Sequence, residues 1–318
     1  LTMRAEGGFG LTMTCAVHVQ DRGKGFPGQL GLFSERHLEG HERLAGAISA
    51  AGSLGVVQLH HAGIRSPQNL ITGAPLGPSD DPETSARALT HDEVIQVRED
   101  FILAAERAER AGYDGVELHG AHGYLLCQFL SAETNRREDE YGGDLEGRAR
   151  LLMEIIEGVR QRCRPTFLLG VRISPERFGL ALHEMQTLYQ RLVETELVDF
   201  IDVSLWDTFK LPEDPHHQGR GLLEHFTHLP RGDVKLTVAG KLYQPQSLRR
   251  CLDLGVDFVS LGRAGIIHHD YPQRLARDHN FIPQALPVSA HHLEGEGLSD
   301  AFITYMRRWP NFVTPDAD

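Results

Sequence analysis

The chain repeats one unit: a short β-rich run, a loop, an amphipathic helical stretch, then another short run. Runs at 10–14, 56–60, 115–119, 167–173, 200–204, 235–239 and 258–261 give seven strands. The clearest intervening helix opens at Thr90-His91-Asp92-Glu93, a Thr-x-x-Glu box that satisfies free amides at a helix start from both directions. Val94, Val97, Phe101, Ala104, Ala108 and Ala111 follow at steps of three and four, the buried stripe of one helix face. Gly112 ends that helix as its C′ residue. Further helices are read over 34–51, after Asp144 (stripe Leu145, Ala149, Leu152, Ile156, Val159), around Leu188 and Leu192, after Pro245, and near Gln273. Strands separated by helices pair in parallel, because parallel neighbours need a crossover.

No linker-like stretch interrupts the repeat, so 1–318 reads as a single (β/α)8 TIM barrel, a fold of about 250 residues. A doubly wound sheet is the rival, but no GxGxxG follows an early strand. Seven strands leave closure one short, and residues 1–6 read as the last turn of a helix stopped by Gly7-Gly8. The expectation is a barrel whose first βα unit is truncated or missing from this chain. Barrel chemistry sits at the C-terminal ends of the strands. The long loops, 62–89, 120–143 and 205–232, all follow strands.

Charge narrows the function classes. Lysine plus arginine (32) minus aspartate plus glutamate (44) gives −12, which argues against a sequence-independent grip on nucleic acid or an anionic membrane. No apolar run approaches the ~18 residues of a membrane span. Cys15, Cys127, Cys163 and Cys251 are far apart and form no CxxC pair, which suits a reducing cytoplasm. The oligomeric state is left open, a homo-oligomer included.

The densest chemical cluster is Glu117-Leu118-His119-Gly120-Ala121-His122-Gly123-Tyr124, running out of a strand into a loop. Two imidazoles there can donate hydrogen bonds to one carbonyl oxygen and polarise it. A phenol of pKa ~10 can deliver a proton to a carbon becoming basic. The pairs His60-His61, His216-His217 and His268-His269 raise the question of metal. Adjacent strand residues point to opposite faces, so no metal site is expected from them.

Residues 112–150, GYDGVELHGAHGYLLCQFLSAETNRREDEYGGDLEGRAR, resemble the signature of the old yellow enzyme family of FMN-dependent ene-reductases. QLHHAG at 58–63, VRIS at 171–174, TVAG at 237–240, SLGRA at 260–264 and LSDAFITYMRRW near the end extend the resemblance over the chain. It implies FMN as cofactor, NAD(P)H as hydride donor, and a small enone-type molecule as substrate. By the same resemblance Gln58 would hydrogen-bond the flavin pyrimidine and Arg172 would sit by its N1–C2=O edge. Gly240, Gly262 and Arg263 would hold the phosphate, where barrels often bind one. His119 and His122 would hold the substrate carbonyl, and Tyr124 would protonate its α carbon. The chain departs from the family at Asp144 and Gly147, where Ser and Asn are usual. It also lacks the first strand, which in the family touches the flavin. Two other readings fit the residues alone: an impaired flavin or phosphate-ligand binder, and a metal-dependent hydrolase barrel.

Overall fold

The computed structural model describes residues 1–315. Its strands are β1 (Leu11–Met13), β2 (Val17–His18), β3 (Leu54–His60), β4 (Leu76–Gly77), β5 (Arg87–Ala88), β6 (Gly115–Gly120), β7 (Leu168–Ile173), β8 (Phe200–Ser204), β9 (Lys235–Ala239) and β10 (Phe258–Val259). One parallel sheet runs in the order β1-β3-β6-β7-β8-β9-β10, with β2 also paired to β3. Helices Leu38–Ala50, His91–Arg110, Leu145–Arg162, Leu182–Glu194 and Pro245–Asp253 make five of the six crossovers among the described residues, and a long loop with the short helix Glu224–Thr227 makes the one from β8 to β9. The seven strands of the main path are the seven read from the sequence. Among the described residues β1 and β10 are the two edges, each paired on one side only, so the sheet is a half-barrel in the TIM-barrel order.

Local rules explain the boundaries. Thr90 accepts from the Glu93 amide while Glu93 returns a bond to the Thr90 amide, so the long helix starts where the box predicts. Asp144 accepts from the Gly147 amide at 3.0 Å, so the departure from the family's usual residues still leaves a capped helix. The first helix, Thr2–Glu6, ends at Gly7, as read. Residues 35–37 form a 3-10 turn before the helix read over 34–51. The last strand is shorter than the 258–261 reading, although the Ser260 amide still bonds the Val238 carbonyl at 3.0 Å. β4 and β5 pair with each other inside the 62–89 loop; two-residue ladders carry no alternation to read.

Strand alternation sorts the side chains. Val57, Leu59, Val116, Leu118, Leu169, Val171, Ile201, Val203, Leu236 and Val238 are buried in the main core with the helix stripes. The opposite parity carries Gln58, His60, Glu117, His119, Arg172, Asp202, Ser204 and Thr237 on the face turned away from the helices. Gly170 shares that parity, and a Cβ there would collide with the ring of Phe200 on β8. Burial of each large helix-facing side chain stabilises the fold by ~1.5–3 kcal/mol. A smaller cluster, Ile267, Val288, Leu293, Leu298, Ile303, Met306 and Phe312, anchors the C-terminal helices Ala290–Gly295 and Asp300–Met306, which the sequence reading did not anticipate.

Candidate active site at the strand ends

β6 delivers the central group. His119 is its penultimate residue, and His122 follows in the left-handed region at φ 62°, before Gly123 at φ 69°. These two positive φ values turn the chain sharply back and place Tyr124 at the start of helix Leu125–Leu130. The His119 and His122 rings meet nearly perpendicular, 5.0 Å between centroids, and Tyr124 lies 5.3 Å from His119. The three sequence-read residues therefore come together. His60 joins them from β3, its ring 4.4 Å from Tyr124 and 5.4 Å from His119. The sequence reading passed over His60 as half of a non-chelating pair. Its alternation with Gln58 on the same face was the available signal.

Hydrogen bonds set the orientation of the rings. His122 Nε2 is 2.7 Å from the Ser204 hydroxyl, and its Nδ1 is 3.4 Å from His119 Nε2. The Ser174 hydroxyl accepts from the His122 amide at 3.0 Å. His119 Nδ1 and His60 Nδ1 are buried without a partner among the described residues. Burial holds every one of these imidazoles neutral: His119 and His60 are pushed well below their ordinary range, and His122 is lowered to about 3, with Arg172 and Arg65 adding repulsion. A neutral ring keeps one N–H to donate and has no second proton to give up readily. The Arg65 guanidinium lies over the Tyr124 ring at 4.9 Å and bonds the His122 carbonyl.

Below the rings runs a polar belt. Gln58 on β3 stands opposite Glu117 on β6, and its Nε2 donates to Glu117 Oε1 at 2.7 Å. Arg172 on β7 stands opposite Asp202 on β8, Nε to Oδ2 at 3.2 Å, and also reaches the Ser204 hydroxyl at 3.4 Å. Gln58 and Arg172 thus lie on one face, two strands apart, with Arg172 directly opposite His119 in the β6–β7 register. Beside the belt, His122, Ser174, Phe178, Ser204, Trp206 and Arg177 line a recess. Arg177, Phe178 and Trp206 all hold positive φ, backbone strain of the kind that gathers at functional sites.

The residues read for phosphate fall elsewhere on the rim. Gly240 follows β9 directly, and Gly262 precedes the short helix Arg263–Ile267 after β10. β9 and β10 pair with Val238 opposite Val259, so both glycines leave the same end of adjacent strands. Arg263 is exposed, rests over the Tyr243 ring at 5.2 Å, and forms no ion pair among the described residues. Gly240 accepts a bond from the Thr208 hydroxyl at 2.8 Å, which ties the β8 and β9 loops together.

Of the three histidine pairs only His60 lies in a strand; His61, just past β3, turns to Gln20 at 3.1 Å, and His217, in the 3-10 turn Pro215–His217, to Asp214 at 2.9 Å. A group from distant positions, His268, His292 and Glu296, brings one donor atom each within 4.8 Å. The Gln284 amide already donates to His268 Nε2, and His292 Nε2 lies 2.8 Å from the Ile267 carbonyl. The other nitrogen of a neutral His268 then carries the hydrogen and is a donor rather than a ligand. The cluster is best described as a polar junction between the barrel and its C-terminal helices. No described helix is long and apolar enough to cross a membrane, and all four cysteines are free.

A parallel half-barrel with ionisable and aromatic groups gathered at the C-terminal strand ends is the layout of a TIM-barrel enzyme. The chain belongs to the NADH:flavin oxidoreductase / NADH oxidase family, whose family model matches residues 1–280. It is 35% identical over 265 residues to the "Probable NADH-dependent flavin oxidoreductase YqiG" of Bacillus subtilis, covering 80% of this chain and 71% of that one. It is 36% identical over 211 residues to the NADPH dehydrogenase of Clostridium acetobutylicum, covering 64% of this chain and 61% of that protein. The old yellow enzyme homologue from Zymomonas mobilis superposes with a TM-score of 0.77 at 26% identity, over 92% of this chain and 85% of its own. Morphinone reductase in complex with tetrahydroNAD gives a TM-score of 0.75 at 27% identity, over 92% of this chain and 84% of its own. The family makes this chain an oxidoreductase, with a flavin and a nicotinamide as its redox partners.

Proposed function

We propose that the protein reduces the activated C=C bond of α,β-unsaturated carbonyl compounds, with FMN as the bound flavin and NAD(P)H as the electron source. The observation that carries this reading is the cluster of His119, His122 and Tyr124 beside Gln58 and Arg172, with His119 Nδ1 buried and without a partner among the described residues. A buried ring nitrogen left unpaired costs free energy, and in the tautomer that carries its hydrogen there a ligand oxygen relieves that cost. A carbonyl oxygen is the chemistry that fits.

The donor set also suits FMN. Gln58 offers an amide that both donates and accepts, Arg172 a charge for an electron-rich ring edge, and Gly240, Gly262 and Arg263 a rim for the phosphate. When bound, FMN supplies the hydride. The chain's own residues do the rest. His119 and His122 orient the substrate by its carbonyl oxygen and stabilise the charge that develops there. Tyr124 gives the proton to the α carbon. His60 and Arg65 pack the phenol ring in place.

The test has two stages. A purified protein that is yellow and releases FMN is reduced anaerobically by NADH or NADPH, then offered a panel of enones. Reoxidation by enones supports the reading. A yellow protein that no enone reoxidises makes it an impaired flavin binder.

A further inference from the structure

Two carboxyl groups lie in the polar belt where the proposed chemistry gives them no role. Glu117 is completely buried and Asp202 is 1% exposed. A single cation, Arg172, serves both, and strand register gives it to Asp202, which it faces directly at 3.2 Å. Glu117 receives only a neutral amide, Gln58 Nε2 at 2.7 Å, and its Oε2 has no partner among the described residues. The charged groups acting on Glu117 are Asp202 from β8 and Arg172 from β7, while β3 contributes the neutral Gln58. Two buried negative charges against one positive charge leave an excess that burial penalises strongly.

We propose that Glu117 is a positioning residue: a neutral, proton-bearing carboxyl that locks the Gln58 amide with its carbonyl turned toward the cofactor, and whose loss of that proton loosens the cofactor. The inference rests on the reading of Gln58 as a flavin contact. Burial first, then the charge of Asp202, raise the Glu117 carboxyl to about 8, with Arg172 and Gln58 pulling the other way. Asp202 is raised too, by burial, but Arg172 opposes this directly, so the shared proton resides on Glu117. With Nε2 committed to Glu117, the Gln58 Oε1 is left free to accept. Ionised Glu117 would add an unpaired negative charge beneath the electron-rich edge that Arg172 is placed to serve.

The experiment measures FMN affinity by quenching of flavin fluorescence from pH 7 to pH 9, in wild type and in Glu117→Gln. Glutamine copies the shape of the protonated acid and cannot ionise. The wild-type dissociation constant is expected to rise about tenfold per pH unit above the Glu117 transition, the limit for a single proton required in the bound state. The variant is expected to bind as wild type does at pH 7 and to stay flat to pH 9. A wild type without this rise, or a variant that keeps it, overturns the proposal. Infrared difference spectra of the flavin-free protein give an independent readout: a protonated carboxyl band at pH 7 that disappears by pH 9 and is absent from Glu117→Gln. Absence of that band in wild type also overturns the proposal. Failure to bind FMN at any pH would instead overturn the flavin reading, with the band still reporting on Glu117.

Discussion

Replacing Tyr124 with phenylalanine removes one hydroxyl and leaves the ring. The ring's neighbours are His60 at 4.4 Å, His119 at 5.3 Å and the Arg65 guanidinium at 4.9 Å, all contacts with the aromatic face or edge. No hydrogen bond from the Tyr124 hydroxyl is present among the described residues, so the deletion strands no buried partner. Stability should therefore change by less than ~0.5 kcal/mol, the range for a substitution that breaks no packing or network. The chemistry should respond differently. A positioned general acid is worth ~10²–10⁴-fold, or about 3–5 kcal/mol of barrier. Anaerobic stopped-flow separates the two halves of turnover: bleaching of the flavin by NAD(P)H, then its reoxidation by an enone. The first should keep its wild-type rate, because it needs no proton at the alkene carbon. The second should fall by ~10²–10⁴-fold. Equal slowing of both would mean that the tyrosine positions the cofactor and is not the proton donor. Urea midpoints measured beside the rates detect any loss of fold.

Three further outcomes follow from the same geometry. Arg263→Ala should weaken FMN binding by about 10–100-fold, the worth of a hydrogen bond to a charged group, with the urea midpoint nearly unchanged because the side chain is exposed; unaltered flavin content would remove Arg263 from the site. His119→Ala should weaken phenolic ligands and enones in parallel, because both present an oxygen to the same donor, and difference titration reads both; loss of one alone would separate their sites. Acid should destabilise the fold: His60 and His119 are held well below their ordinary range, and His61 and His122 at about 3, so below pH 6.5 the unfolded chain takes up protons that the folded chain refuses. Each such imidazole costs about 1.4 kcal/mol per pH unit until its folded pKa is reached. The raised Glu117 carboxyl acts in the opposite sense, so urea midpoints are best compared from pH 7 to pH 4 in Glu117→Gln, where a level profile would contradict the neutral-histidine assignment.

Local sequence determined the elements. The Thr90–Glu93 box, the three-and-four spacing after it and the alternating strand runs act over a few residues, and the chain formed helix and parallel strand where they said. The grouping of His119, His122 and Tyr124 was equally legible, because one strand and one tight turn carry all three. Only the tertiary structure decided what surrounds them. Gln58 meets Glu117 across 59 residues through the register of neighbouring strands, and His122, in the loop after β6, meets Ser204 at the end of β8 across 82. A shift of one residue in that register would turn Glu117 or Asp202 to the opposite face. No local pattern encodes the register; it is fixed by how the apolar parity of every strand seats against the helices at once. For that reason the sequence named Gln58 and Arg172 by resemblance and Glu117 only as part of a local cluster, while His60, Asp202 and Ser204 entered the site, and Glu117 met its partner, only when the strands were laid side by side.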